Sequence, residues 1–227
     1  MDDKIIVSNK SALTAKYGPG GLAAITKALK SLIASDAKRG FKDRLVFLDN
    51  PAAMKALGGT AVTSHLSPRQ NKEAIDAIFR KVNPEYLLII GAPDVVPHQD
   101  LDSPAYAPPD DPDRYAYGDL PYACDAPYAR DIAKFKGPTR VVGRLPDLTG
   151  AREPSHLISL IQHAEKHQPR DAAEYAAYFG LSTHSWQEST KESLFNIFGD
   201  SRYSEIPALL RSDRQKDRSI RRRPSAS

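Results

Sequence analysis

The chain has 227 residues, 41% apolar and 26% charged, which is enough for one sizeable core and ordinary for a globular protein. No apolar run is long enough to span a bilayer, the acidic start Met1-Asp2-Asp3 lacks the layout of a secretory signal, and the single cysteine, Cys124, excludes a disulfide framework or a cysteine-rich zinc site. The net charge of +4 is local, because residues 211–227 hold seven Arg or Lys against two Asp (+5), leaving −1 for the preceding 210. A cytoplasmic protein without cofactor or bound metal is therefore expected.

In chain order, residues 4–8 (KIIVS) read as a short buried strand, β-branched and continuous rather than alternating. Gly18-Pro19-Gly20-Gly21 breaks the chain before a helix carried by Leu22, Ile25, Leu29, Leu32 and Ile33. Residues 44–48 (RLVFL) are a second strand ending at Asp49-Asn50-Pro51, and Ser67-Pro68 opens a helix with Ile75, Ile78, Phe79 and Val82 inward. Residues 86–90 (YLLII) are the clearest buried strand, ending in the turn Gly91-Ala92-Pro93-Asp94. Strands alternating with helices at this spacing predict parallel βαβ units, an α/β fold with helices on both faces of a mostly parallel sheet.

Between residues 97 and 137 the pattern gives way to Asp, Pro, Tyr and Ala, including Pro108-Pro109-Asp110-Asp111-Pro112-Asp113, and a loop of that length is functional or disordered. A strand resumes at residues 139–142, then Gly143-Arg144-Leu145-Pro146, a helix over about 153–167, a strand at 178–181 and a short helix at 191–198.

Three stretches together resemble the gingipain-like cysteine peptidases: YLLIIGAPDVVP, then GDLPYA with its Asp119-Leu120-Pro121-Tyr122, then RVVGRLPDLTG leading into a helix. The resemblance covers residues 86–199. It implies a caspase-like fold and, in the complete family domain, hydrolysis of peptide bonds after basic residues by a His–Cys pair. That chemistry needs a thiolate, an imidazole to activate it and backbone donors for the oxyanion. The family's histidine lies in a Gly-His-Gly turn after a later strand, with the cysteine beyond it, and neither motif occurs here. Cys124 lies upstream of both places, and His184 sits in Ser-Thr-His-Ser without flanking glycines. The resemblance thus implies an α/β caspase-like domain over residues 1–199, incomplete at its C-terminal side and inactive alone, followed by a basic, disordered tail over 200–227. The Arg/Ser/Pro-rich end reads either as a genuine basic tail or as an interrupted reading frame, and the second is the expectation.

By the same resemblance Asp119 belongs to the pocket that would pair with the substrate's basic side chain, a charge-assisted contact; the alternative is a loop Asp capping a turn. Asp94 ends a parallel strand at the edge where α/β ligands bind, and its alternative is a turn residue. Arg144 either orients the substrate loop or pairs with a carboxylate near Asp119. Cys124 has no neighbour that would depress its pKa and reads as an ordinary thiol. His156, His163 and His167 share a helical stripe beside an apolar face, without an HExxH pattern, and read as solvated rather than zinc-binding. Gly18–Gly21 could cradle a phosphate but lacks the established phosphate-loop spacings. Arg221-Arg222-Arg223 could attract nucleic acid or an anionic membrane by charge alone, with no recognition motif beside it.

The partner implied is a peptide or protein carrying Arg or Lys, with neither a specific nucleic acid nor a membrane. An open sheet edge would favour self-association. Two rivals stand beside the peptidase reading: a pseudo-peptidase that binds basic peptides without cleaving them, and a flavodoxin-like module with a ligand at its strand ends.

Overall fold

Ile5, Ile6 and Val7 are wholly inaccessible, which makes the first strand, β1 (Lys4–Ser8), the centre of the sheet rather than its edge. The computed structural model describes residues 2–168, 170–171, 173–174 and 177–206, and these fall into two compact units divided after His167. In the first unit β1 lies between β2 (Asp43–Phe47) and β3 (Tyr86–Ile90), both parallel to it. Two short antiparallel strands follow, β4 (Gln99–Asp102) and β5 (Tyr115–Gly118), and then β6 (Val141–Leu145), which pairs parallel with β3. The sheet order is β2-β1-β3-β6, so the α/β reading and its parallel sheet hold.

The helix α1 (Lys10–Lys38) makes the crossover from β1 to β2, α2 (Pro51–Ala56) and α3 (Pro68–Val82) lie in the crossover from β2 to β3, and α4 (Ser155–Glu165) follows β6. The chain moves one way across the sheet through α1 and the other way through α3. Right-handed crossovers therefore put these two helices on opposite faces. The α1 face is closed by α4, through Ile25, Leu29 and Leu32 with Leu157 and Ile161 in the core. On the other face α3 contributes Ile75, Ile78 and Phe79, and its Ser67 cap accepts from the Gln70 N–H, with Pro68 in the first turn as expected.

Three elements differ from the sequence reading, each for a local reason. Gly18-Pro19-Gly20-Gly21 does not precede the first helix but interrupts it: Gly18 takes φ +69° and Pro19 restarts the turn. The segment 10–17 is helical because Asp49, at the end of β2, accepts the N–H groups of Lys10 (2.9 Å) and Ser11 (2.6 Å). Asn50-Pro51 opens the short α2, with the Asn50 side chain accepting from Ala53 N–H. The long loop contains the β4–β5 ribbon, whose inner side, Gln99 and Leu101, is buried.

The second unit is a single βαβ turn of chain: β7 (Leu181–Thr183), α5 (Gln187–Phe198) and β8 (Ser204–Ile206), with β7 and β8 parallel. No residue of α5 is buried, and Phe195 and Ile197 are 62% and 71% exposed. The remaining tail, residues 207–227 with Arg221–Arg223, lies outside the described residues. Among the described residues no helix is long and apolar enough to cross a membrane.

Candidate functional site at the carboxyl ends of strands 3 and 6

The carboxyl end of β3 turns sharply at Gly91, which takes φ +112° and has no room for a Cβ, since one built there would meet Val95 Cβ at 2.6 Å. Its N–H donates to Leu145 O (3.0 Å), tying the turn to the end of β6. Over this turn lies Arg144. Its Nη1 donates to Gly91 O (2.7 Å) and Val96 O (2.9 Å), while Nε and Nη2 donate to the two carboxylate oxygens of Asp119 (2.8 and 2.6 Å). Arg144 is nearly buried and Asp119 about a quarter exposed. Asp119 in turn heads a 3-10 turn over Leu120–Ala123, accepting Tyr122 N–H at its carbonyl, and the buried Tyr122 hydroxyl donates to Pro97 O (2.8 Å). The two residues are a fork-on-fork pair, so the Asp119 carboxylate is already taken by a guanidinium of the chain itself.

Asp94 belongs to a different cluster. It accepts from Lys16 Nζ (2.8 Å) and from the Gly150 N–H (2.9 Å). Lys16 also meets Asp147 (2.8 Å) and Leu148 O (2.9 Å), and Asp147 accepts from the Tyr17 hydroxyl and the Ala92 N–H. Burial pushes the Asp94 carboxyl up, but the Gly150 N–H and Lys16 outweigh it and hold it below its ordinary range. Burial and the Asp147 hydrogen bond push the Tyr17 phenol well above its ordinary value. None of the described hydrogen bonds or ion pairs joins Asp94 to Asp119.

Strand order reverses between β1 and β3, the place where doubly wound sheets bind ligands. Here that crevice is filled by the protein's own side chains. Ser8 Oγ donates to Ile90 O (2.9 Å), and the inaccessible Asn9 donates from Nδ2 to Asn71 Oδ1 (2.8 Å) and Val95 O (2.9 Å). The first N–H groups of α1 are taken by Asp49, so the helix start nearest the crevice has no free donors for a phosphate at Lys10 and Ser11.

Cys124 is buried, and burial pushes its thiol up against the opposing pull of Lys72 and Arg140. Its carbonyl accepts from Lys72 Nζ (3.0 Å) and from Arg140, and the Gly137 N–H meets its sulfur. Lys72 and Arg140 share Asp76 (2.6 and 2.7 Å), and the Arg140 guanidinium stacks on Phe79 at 3.8 Å. Burial lowers the Lys72 pKa, with Asp76 pulling it back.

His156 and His163 lie on α4 and His167 just beyond it; His163 Nδ1 is 2.7 Å from Ser159 O. His184 begins a 3-10 turn after β7. Among the described residues no three His, Cys, Asp or Glu side chains are gathered as a metal site.

Comparison with protein-family models, curated proteins and solved structures finds no match to this chain. Sequence reasoning located Asp94, Asp119 and Arg144 but missed Lys16, Tyr17 and Asp147, which complete the neighbouring cluster. Lys16 and Asp147 are more than a hundred positions apart, and only the strand order brings them together.

Proposed function

We propose that this chain is the non-catalytic, N-terminal portion of a gingipain-like, caspase-fold cysteine peptidase domain, inactive by itself because it carries neither the Gly-His-Gly histidine nor the later cysteine. The observation that carries the reading is the Arg144 node. The three stretches that resemble the family, ending in Gly91–Val96, Asp119–Tyr122 and Arg144–Pro146, are far apart in sequence and converge on one guanidinium. A parallel sheet with helices on both faces supports the same reading.

Incompleteness is supported by the second unit. A βαβ turn whose helix buries no residue, with Phe195 and Ile197 in solvent, is a layer without its partner. In a complete domain Asp119 would receive a substrate's basic side chain only by exchange with Arg144, and Asp94 would serve from the strand end beside it. Location in the cytoplasm and a basic peptide as partner belong to the same proposal.

The crevice between β1 and β3, closed by Ser8 and Asn9, gives the flavodoxin-like alternative little support. The pseudo-peptidase alternative keeps one specific support, the closed Asp119–Arg144 pair, which needs no catalytic half to be satisfied. The test is turnover of fluorogenic peptidyl-arginine and peptidyl-lysine amides by the 227-residue chain and by Cys124→Ala. No hydrolysis by either is expected. Turnover that Cys124→Ala abolishes would overturn the proposal, since this chain would then hold its own nucleophile.

A further inference from the structure

A cavity of about 290 Å³ opens between the end of α3 and the start of β6, with Asp76, Phe79, Arg80, Asp125, Thr139 and Arg140 in its lining. It lies at the amino ends of β3 and β6, the opposite end of these strands from the Arg144–Asp119 pair. Arg140 is its buried wall, with a side chain only 4% exposed. Of the guanidinium nitrogens Nη2 alone is engaged, donating to Asp76 Oδ1 (2.7 Å) and to the Cys124 carbonyl. Nε is inaccessible and has no acceptor, and Nη1 has none among the described residues. Buried donors are almost always paired in native proteins, so an orphan in a cavity wall points to an acceptor from outside the chain.

Arg80 supplies a second guanidinium to the same cavity. It is exposed and makes no hydrogen bond or ion pair among the described residues. Its place in the last turn of α3 suits a cation but leaves its N–H groups open. Five charges meet here: Lys72, Arg80 and Arg140 give +3, Asp76 and Asp125 give −2, and the net is +1. Asp76 is shared by Lys72 and Arg140, and Asp125 accepts from the Thr139 hydroxyl (2.8 Å). A singly charged anion balances this cluster, whereas a doubly charged phosphate would set surplus negative charge against Asp125.

We propose that this cavity binds a small carboxylic acid, held as its carboxylate between Arg140 and Arg80. One carboxylate oxygen accepts from the unpaired side of Arg140 and the other from Arg80, charge-assisted contacts that neutralise the surplus cation. Phe79, on which Arg140 stacks at 3.8 Å, gives a short apolar body its partner. A free acid and the carboxyl end of a peptide present the same group, and the test separates them. The proposal stands on this cluster alone and is independent of the peptidase reading.

The nitrogen-labelled 227-residue chain is titrated with sodium butyrate and with sodium N-acetylalaninate, against sodium chloride at equal ionic strength. The Arg140 Nε–H resonance should move saturably with at least one acid and not with chloride, and the tighter acid names the source. Arg80→Gln removes one charge-assisted contact at an exposed position. It should weaken that acid about tenfold while the melting temperature stays unchanged. Asp125→Asn, which takes away a repelling carboxylate, should tighten it. Shifts that follow chloride with both acids would overturn the proposal, as would an Arg80→Gln variant that binds as well as wild type. Inorganic phosphate binding more tightly than either acid would overturn the assignment to a carboxylate.

Discussion

Arg144 donates to four acceptor atoms supplied by two separate stretches of chain, and its removal would leave Gly91 O, Val96 O and the Asp119 carboxylate without their shared donor. Arg144→Ala should lower unfolding stability by about 2–3 kcal/mol, below the cost of breaking a wholly buried pair because Asp119 is partly exposed. Arg144→Lys, which keeps the charge but not the fork, should recover only part of the loss; urea midpoints for both variants check this, and an unchanged midpoint in Arg144→Ala would refute it. A second residue prediction concerns Asp43, which shares Lys4 with Asp36 (2.9 Å from Lys4 Nζ to Asp43). Burial, then the hydrogen bond with Asp36, pushes the Asp43 carboxyl up to about 6. The native state therefore binds that proton more tightly than the unfolded chain. Its contribution is complete below about pH 4, the ordinary carboxylate range, and is lost as pH rises through the raised value. Asp94, held low, works in the opposite sense and loses its contribution as pH falls. The pH profile of stability in Asp43→Asn should lack the wild-type decline across this window, and parallel profiles would contradict the assignment. Asp94, Asp119 and Arg144 were visible in the sequence because they end strands in motif-like stretches. Lys16, Asp76, Arg140 and Asp147 were not, because a lysine within a helix or an arginine before a strand carries no local mark of a partner elsewhere.

Among the elements, the β3 turn positions everything around it. Gly91→Ala adds a side chain at positive φ and against Val95, and should cost about 2–4 kcal/mol while sparing helix content. Thermal melts followed by circular dichroism would measure it, and a neutral substitution would show that the turn can relax. Four of the five α-helices among the described residues and the strands of the main sheet were readable because parallel strands buried on both sides are continuous apolar runs and helices carry one apolar stripe. The first half of α1 was not, since the proline–glycine break outweighed a helix start whose stabilising carboxylate, Asp49, comes from β2's end. The β4–β5 ribbon was also missed. QDLD and YAYG contain no β-branched residue, and their pairing joins residues across a twelve-residue loop.

At the scale of the whole molecule, the first unit has a closed core whereas α5 of the second presents Phe195 and Ile197 to solvent. These exposed side chains should bind an apolar fluorescent dye such as anilinonaphthalene sulfonate, and the double variant Phe195→Glu, Ile197→Glu should reduce the signal markedly; an undiminished signal would place the apolar surface elsewhere. The parallel fold class was recoverable from strand and helix alternation alone. The chemistry was not, because the side chains that meet at the strand ends come from segments far apart in the sequence. The most direct measurement is to sequence the coding DNA from the codon for Tyr178 onward, past the codon for Ser227, and translate all three frames. The proposed function predicts a strand followed by Gly-His-Gly, and then a further strand ending in cysteine, in one of them. Continuous sequence without such a segment in any frame would contradict it and leave a non-catalytic α/β module built around the Asp119–Arg144 pair.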